Sequence, residues 1–467
     1  MGNRGLPSDK VMNLKINNLI LFSIKTFLFC STLIPIFVFG NWPNWRGPNF
    51  DGSSQSTSSL PEIFDDSVGV KWKTRLPGSS AATPIIYEDR VFVPSISITA
   101  GKKSEGRGEL RALCLDAKSG KVLWDKNAGS GYRPGQKDGF DFMLHDRSNY
   151  ASPSPVIGDD SVFFFYGNGD LLAFDFDGNK KWSRNLQKDY GDFCFQWTFS
   201  ASPTYWKKKL YLPILQRNEP VHGRGKENAE SYILCIDPLS GKTLWRHVRD
   251  SNAQKESLES FGTIIPFDEK LYVAGGDVLT SHHPDTGEEL WRWGTWNPGH
   301  KEQWWRLVPS PVIGDGVALV CAPKRAPVFA IKLNESEKGG EGRLRWETSA
   351  DPLLTSDVPT PLFYRKKFYI LSDLKKKLFQ VDPQTGSTQW SVDLPGKYKW
   401  RSSPTAGDGK IYIMNHNAMV IVVSASSGKI LNQAEMGGSY DDNTRSSIAI
   451  SQANLYIRTN ENLYCIE

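Results

Sequence analysis

One short pattern returns eight times along this chain, and it constrains the fold more than anything else in the sequence. A small residue is followed two places on by an acid, then by a turn ending in Gly, then by Trp four residues later. Cys114, Asp116, Gly120 and Trp124 give one copy, and Cys235, Asp237, Gly241 and Trp245 another. Gln380, Asp382, Gly386 and Trp390 keep the spacing, as do Ser281, Gly287 and Trp291 with His283 in the acid's place. Ala173, Asp175, Gly178 and Trp182 form a copy one residue shorter. Self-similarity at such a period means stacked supersecondary units, so the 467 residues build one assembly and not several unrelated domains.

Upstream of each Trp pattern lies a second signature. An apolar strand opens on Ser/Thr-Pro, and a new strand starts seven residues after the Pro, as from Pro84 to Val91, Pro155 to Val162 and Pro404 to Ile411. These segments are rich in Val, Ile, Phe and Tyr and are bounded by Gly, Asp and Asn, the composition of short antiparallel strands. Pro fits because it stands at a strand's first residue. The first unit reads as strand A (83–87), a tight turn, strand B (91–94), strand C (110–115), a turn at 117–120, and strand D (122–124). In that turn the acid caps backbone N–H groups and Gly takes the positive φ that closes it. Repeated four-stranded sheets of this size predict an all-β chain, an eight-bladed β-propeller. The final segment, 447–467, supplies strands A to C and stops where strand D is due. Val70-Lys71-Trp72 looks like the missing strand, so residues from both ends of the chain are expected to close the ring and remove its sheet edges. In the seventh unit Asn432 stands where Trp is expected, which predicts a weaker contact there.

Residues 1–40 differ in kind. A basic start (Arg4, Lys10, Lys15) precedes an apolar run from Leu19 to Phe39, and Val38-Phe39-Gly40 offers a cleavage site. A removed signal peptide is expected, with an uncleaved N-terminal anchor as the rival, which would make the protein's only membrane contact. Residues 41–67 form an extension and 68–467 the propeller. The formal charge of +5 lies mostly in the leader, where Arg4, Lys10, Lys15 and Lys25 face Asp9. Without a basic run, no nucleic-acid partner is expected. Cys114, Cys235 and Cys465 share one repeat position, which reads as a small buried residue and not as a bridge. No Cys-x-x-Cys-His occurs, which excludes covalent haem attachment.

The repeat resembles that of the pyrroloquinoline-quinone-like propellers, in which the small residue, Gly and Trp dock successive blades. The resemblance covers about residues 68–467. The opening Trp42-Pro43-Asn44-Trp45-Arg46-Gly47-Pro48 is similar to the start of a group of exported bacterial propeller proteins. Two kinds of relative share the eight-blade form: quinoprotein dehydrogenases, and the scaffold lipoprotein of the outer-membrane assembly machine. The dehydrogenase resemblance would imply adjacent bridged cysteines, a calcium site of Glu, Asn and Asp, and a catalytic Asp; no two cysteines are adjacent here. His282 and His283 are neighbours whose side chains point to opposite faces of a strand. No catalytic, metal or cofactor residue is therefore assigned, and no cofactor is expected.

The long connections (94–109, 126–150, 185–200, 213–231 and 293–308) all leave one face of such a ring, and functional variation belongs on such loops. Residues just before each inner strand should ring the channel mouth there: Arg147 and Asn149, Trp197, Trp305 and Arg306, Trp400 and Arg401, and Arg445. Arginines beside aromatics suit carboxylates, sugars or an extended peptide. The alternative is that these arginines pair with Asp146, Asp357, Asp441 and Asp442 and only fix loop geometry. The sequence thus reads as an exported (periplasmic or secreted), non-catalytic monomer that binds an envelope protein or a glycan. A quinone-dependent oxidoreductase is the second reading.

Overall fold

Val, Ile, Phe and Tyr alternate with Gly-bearing turns from residue 70 to the C-terminus, and the computed structural model resolves this pattern into eight four-stranded antiparallel sheets. The structure describes residues 40–55, 58–98, 107–132, 149–294, 296–333, 343–438, 441 and 443–467. The leader expected at 1–40 lies outside them except for Gly40, as do Asp146, Arg147 and Asp442. The described residues belong to one compact unit, Phe39–Glu467. None of their helices is long and apolar enough to cross a membrane.

The blades follow the chain in order. The first contains β2 (Ile85–Tyr87), β3 (Arg90–Ile98), β4 (Arg107–Asp116) and β5 (Val122–Tyr132). Inner strands of successive blades touch: β2 meets β6 (Val156–Ile157), and β26 (Thr405–Gly407) meets β30 (Ala449–Ser451). The ring closes as the sequence reading expects. Strand β1 (Val70–Arg75) pairs antiparallel with β32 (Asn462–Ile466), Lys73 lying opposite Tyr464, and with β31 (Asn454–Arg458) and β30 completes a four-stranded sheet.

In the repeat itself, Asp116 Oδ1 accepts from Ser119 N at 2.7 Å, and Gly120 adopts φ 71°. A Cβ at Gly120 would sit 2.5 Å from the Trp72 ring of the preceding blade, so only glycine admits the close approach. The Trp72 indole N–H then donates to Ala117 O at 2.9 Å. Trp124, Trp182, Trp245, Trp346 and Trp390 each donate likewise to the carbonyl that follows the acid position in the next blade. His283 replaces the acid functionally: its Nδ1 accepts from Asp285 N at 3.2 Å. Trp291 is the variant, lying under the Arg343 guanidinium at 4.1 Å. Cys114, Cys235 and Cys465 are fully buried, as their repeat position requires, and burial pushes each thiol up to about 12.

One expectation needs correction. The connections 94–109 and 126–150 are not loops throughout: β3 runs on to Ile98, β4 starts at Arg107 and β5 reaches Tyr132, so the first blade carries a longer sheet. Pro94 sits inside β3 opposite Ala112, and its carbonyl accepts from Arg458 Nη1 at 2.5 Å. Asn432 also has its own physical reason. The eighth blade joins two chain ends and so lacks the acid-to-Gly turn on which a Trp would dock. Asn432 Nδ2 instead donates to Phe64 O at 3.1 Å.

The turns separate the two faces. In six of the eight blades strands A and B are joined by two-residue turns with both central residues at positive φ, as at Lys207 (48°) and Lys208 (58°) or Asp408 (49°) and Gly409 (73°), the hairpin geometry that matches strand twist. The long D–A connections leave the opposite face. One of them carries the short helix α1 (Leu186–Tyr190).

Candidate functional site

The Ser/Thr that opens each inner strand does more than precede a proline. Thr83 N donates to Ser154 Oγ in the next blade at 2.9 Å, and Ser154 N to Ser202 Oγ at 3.0 Å. The relay continues through Thr263, Ser310 and Thr360 to Ser403 and Ser447. A girdle of hydroxyls therefore holds the inner strands together around the axis and satisfies backbone N–H groups that no sheet partner reaches. The sequence reading treated this position only as a strand opening. Its recurrence in every blade was the signal that could have revealed the girdle.

Inside the girdle lies a cavity of about 210 Å³, lined by residues from all eight blades. Trp197, Phe261, Arg306, Arg401 and Arg445 stand toward the mouth, before the girdle residues in sequence. The opposite end is crossed by the N-terminal extension. Trp42 bridges to Ile86 of the first blade, and Pro43 O accepts from Ile157 N of the second at 3.0 Å. On the far side, Asp51 O accepts from Phe363 N and Ser54 N donates to Ala406 O, in the sixth and seventh blades. Between these anchors Arg46 is buried and donates to Pro404 O at 2.9 Å and Pro361 O at 2.8 Å. Trp45 beside it lines the cavity. Residues 42–54 thus form a strap across the channel.

The structure sorts the expected mouth residues. Trp197, Arg306, Arg401 and Arg445 converge on the cavity. Trp400 does not: it is fully buried in a hydrophobic cluster of the sixth and seventh blades and donates to Pro395 O at 3.3 Å. Trp305 is half-buried against another cluster. Asn149 is buried and ties three blades, its backbone N–H donating to Thr198 Oγ1 at 3.1 Å and its Nδ2 to Ser79 O at 3.1 Å.

The arginines have acids behind them. Arg401 Nε lies 3.1 Å from Asp373 Oδ2 and its Nη2 3.7 Å from Asp357 Oδ2. Arg306 reaches the other oxygen of Asp357 at 3.7 Å and Glu256 Oε1 at 3.6 Å. Asp357 was anticipated as a partner; Glu256 and Asp373 were not, because they come from connections of other repeats. Burial raises the Asp373 carboxyl, with Arg401 acting against the shift. Nearby Glu259, fully buried, is pushed up to about 7 by burial despite Arg217 Nε at 2.5 Å. On the rim Trp304 stands 48 % exposed, with Arg217 and Lys255 over its ring at 5.8 and 5.5 Å.

The calcium–quinone pair of the dehydrogenases does not fit this donor set. The cavity lining holds neither carboxylate nor cysteine, and no cluster of three His, Cys, Asp or Glu among the described residues is arranged to take a metal. A divalent cation facing three arginines is also unfavourable.

The chain is 25 % identical over 316 residues to polyvinylalcohol dehydrogenase from a Pseudomonas species, covering 62 % of this chain and 44 % of that protein; it thus spans less than half the length of that curated relative. The crystal structure of BamB from Moraxella catarrhalis superposes with TM-score 0.56 at 13 % identity, over 87 % of this chain and all of the other. Quinohemoprotein alcohol dehydrogenase from Comamonas testosteroni superposes with TM-score 0.60 at 13 % identity, over 91 % of this chain and 80 % of the other. At these identities the solved structures speak to the fold. The family model of the outer membrane protein assembly factor BamB matches residues 64–206 and 229–467, and the chain belongs to that family.

Proposed function

We propose that this protein is exported, its leader removed, and acts without catalysis as a binding propeller that holds an envelope protein on its loop-rich face. The observation that carries this reading is Trp304: a large aromatic half exposed at the rim, flanked by the cations Arg217 and Lys255. Trp and Arg dominate binding hot spots because they bury much area and offer directed donors. A glycan stacked on the same ring is the other occupant this chemistry serves.

The test is a pull-down from envelope extract. Trp304→Ala should lose the partner while the melting temperature stays within about 2 °C, as for a surface substitution. Retention of the partner would contradict the reading. The second reading, a quinone-dependent oxidoreductase, draws on the similarity to polyvinylalcohol dehydrogenase; a fold alone does not decide between them. Adding pyrroloquinoline quinone with Ca²⁺ and following dye-coupled alcohol oxidation separates the two. No turnover is expected, and turnover abolished by chelation would favour the second.

A further inference from the structure

On the face of the two-residue turns, the strap and the sixth and seventh blades line an open groove of about 550 Å³. That volume is within the ~300–1,000 Å³ of small-molecule sites. The strap supplies Asn49, Asp51 and Gln55, and the turns after β22 (Leu362–Tyr364) and β26 supply Arg365 and Asp408. Asp51 Oδ1 accepts from Ser53 N and Oγ, both at 2.8 Å; no other side chain among the described residues donates to this carboxylate. Asp408 uses only Oδ2, on Leu60 N at 3.1 Å and Lys410 Nζ at 2.6 Å. Arg365 rests over the Tyr364 ring at 5.2 Å, and no carboxylate among the described residues forms an ion pair with it. These groups sit on a fixed frame. Arg46 Nη2 donates to Asp51 O at 3.1 Å, and a Cβ at Gly52 would collide with the same guanidinium. Tyr364 Oη accepts from Gly409 N at 2.9 Å, tying the two turns together. Between Asn49 and Asp51, Phe50 is held at φ 59°, a backbone conformation rare for a bulky residue and concentrated at functional sites.

We propose that this groove is a binding site for a neutral sugar residue at the end of a glycan chain. The charges in and behind it balance, with Arg46, Arg365 and Lys410 set against Asp51, Asp408 and Glu62, so the groove calls for no net ion. What it offers is a carboxylate oxygen at each of two acids and the donors of one guanidinium. A sugar hydroxyl both donates and accepts, and neighbouring hydroxyls meet both needs at once. The amides of Asn49 and Gln55 add one group of each kind. Phe363, partly buried, also lines the groove and gives the C–H face of the sugar ring an apolar surface. Because the groove is open, the rest of the chain runs out into solvent. The site lies on the opposite face from Trp304, so it and rim docking can fail independently.

Saturation-transfer NMR titration of the whole protein with cellobiose, maltose and diacetylchitobiose tests it, with glycine as the zwitterion that the same charges suit. Saturable binding of at least one disaccharide is expected, without binding of glycine. Arg365→Gln should weaken that binding roughly tenfold, the scale of a lost hydrogen bond to a charged group. Arg365 is exposed, so the melting temperature should stay within about 2 °C. Asp51→Asn keeps an oxygen for Ser53 but gives up the charge, and should weaken binding similarly. Trp304→Ala should leave it unchanged. The proposal is overturned if no disaccharide binds saturably, if glycine binds as well, if either groove variant leaves the affinity unaltered, or if the loss follows Trp304→Ala.

Discussion

At the scale of single residues, stability rests on a few contacts repeated between blades. Trp245 packs against Gly287 of the next blade, where a Cβ would stand 2.6 Å from its ring. Trp245→Ala should cost about 3 kcal/mol, the low end for a large-to-small change because the ring is half-buried. Gly287→Ala should cost a similar amount, and urea denaturation of the double variant should show less than the sum, since both changes break one contact. Arg401→Gln strips the cation from Asp373, which is 1 % exposed. A loss of about 3–5 kcal/mol is expected, which the same denaturation would report; an unchanged midpoint would mean the pair does not brace the mouth. His282 gives the pH dependence. It is fully buried, its Nδ1 donating to Gly287 O at 3.1 Å, and burial beside Arg249 lowers it to about 3. The unfolded chain binds a proton near pH 6.5 and the folded one does not. The stability His282 contributes is therefore complete above 6.5 and is lost as pH falls toward 3. At pH 5 the loss is about 2 kcal/mol, and His282→Asn, which keeps a donor for Gly287 O, should flatten the slope between pH 7.5 and 5.

Among the elements, β1 matters most, because it pairs with the last strand and completes the eighth sheet. Deleting residues 41–76 removes both the strap and β1 and bares the edge of β32, and an unpaired edge recruits other chains. The expected product aggregates on expression; a soluble truncation that melts cooperatively would contradict the closure. Element by element, the sequence was legible where geometry demands a residue type. Only Gly admits the φ and the close approach at 120, and only a large ring with an N–H both fills and bonds the docking position of Trp72. The strap was not legible, since residues 42–54 have no period and several of their partners lie more than three hundred residues away, as Pro404 does from Arg46. The acids behind Arg306 and Arg401 escaped notice for the same reason: Glu256 and Asp373 belong to other repeats. Trp400 reads as a mouth residue because it stands shortly before an inner strand, but in that connection its ring turns into the hydrophobic cluster of the sixth and seventh blades while Arg401 lines the cavity.

For the whole molecule, the division between a trimmed face and an elaborated one organises the account. Two-residue turns leave one side of the ring with little to vary, while the long D–A connections bring Trp304, Trp197 and the arginines together around the mouth. The girdle and the strap make the interior rigid, so recognition falls to side chains held on a fixed frame. Partners are expected to meet the loop-rich face. A photo-crosslinking residue placed at position 304 on that face, or at Leu239 in a turn of the opposite one, tests it in intact cells. Leu239 is exposed and lies outside every contact described above, so both substitutions leave the frame intact. Crosslinks to an envelope protein from position 304 and none from 239 are the expected result; crosslinks from 239 alone would contradict the account.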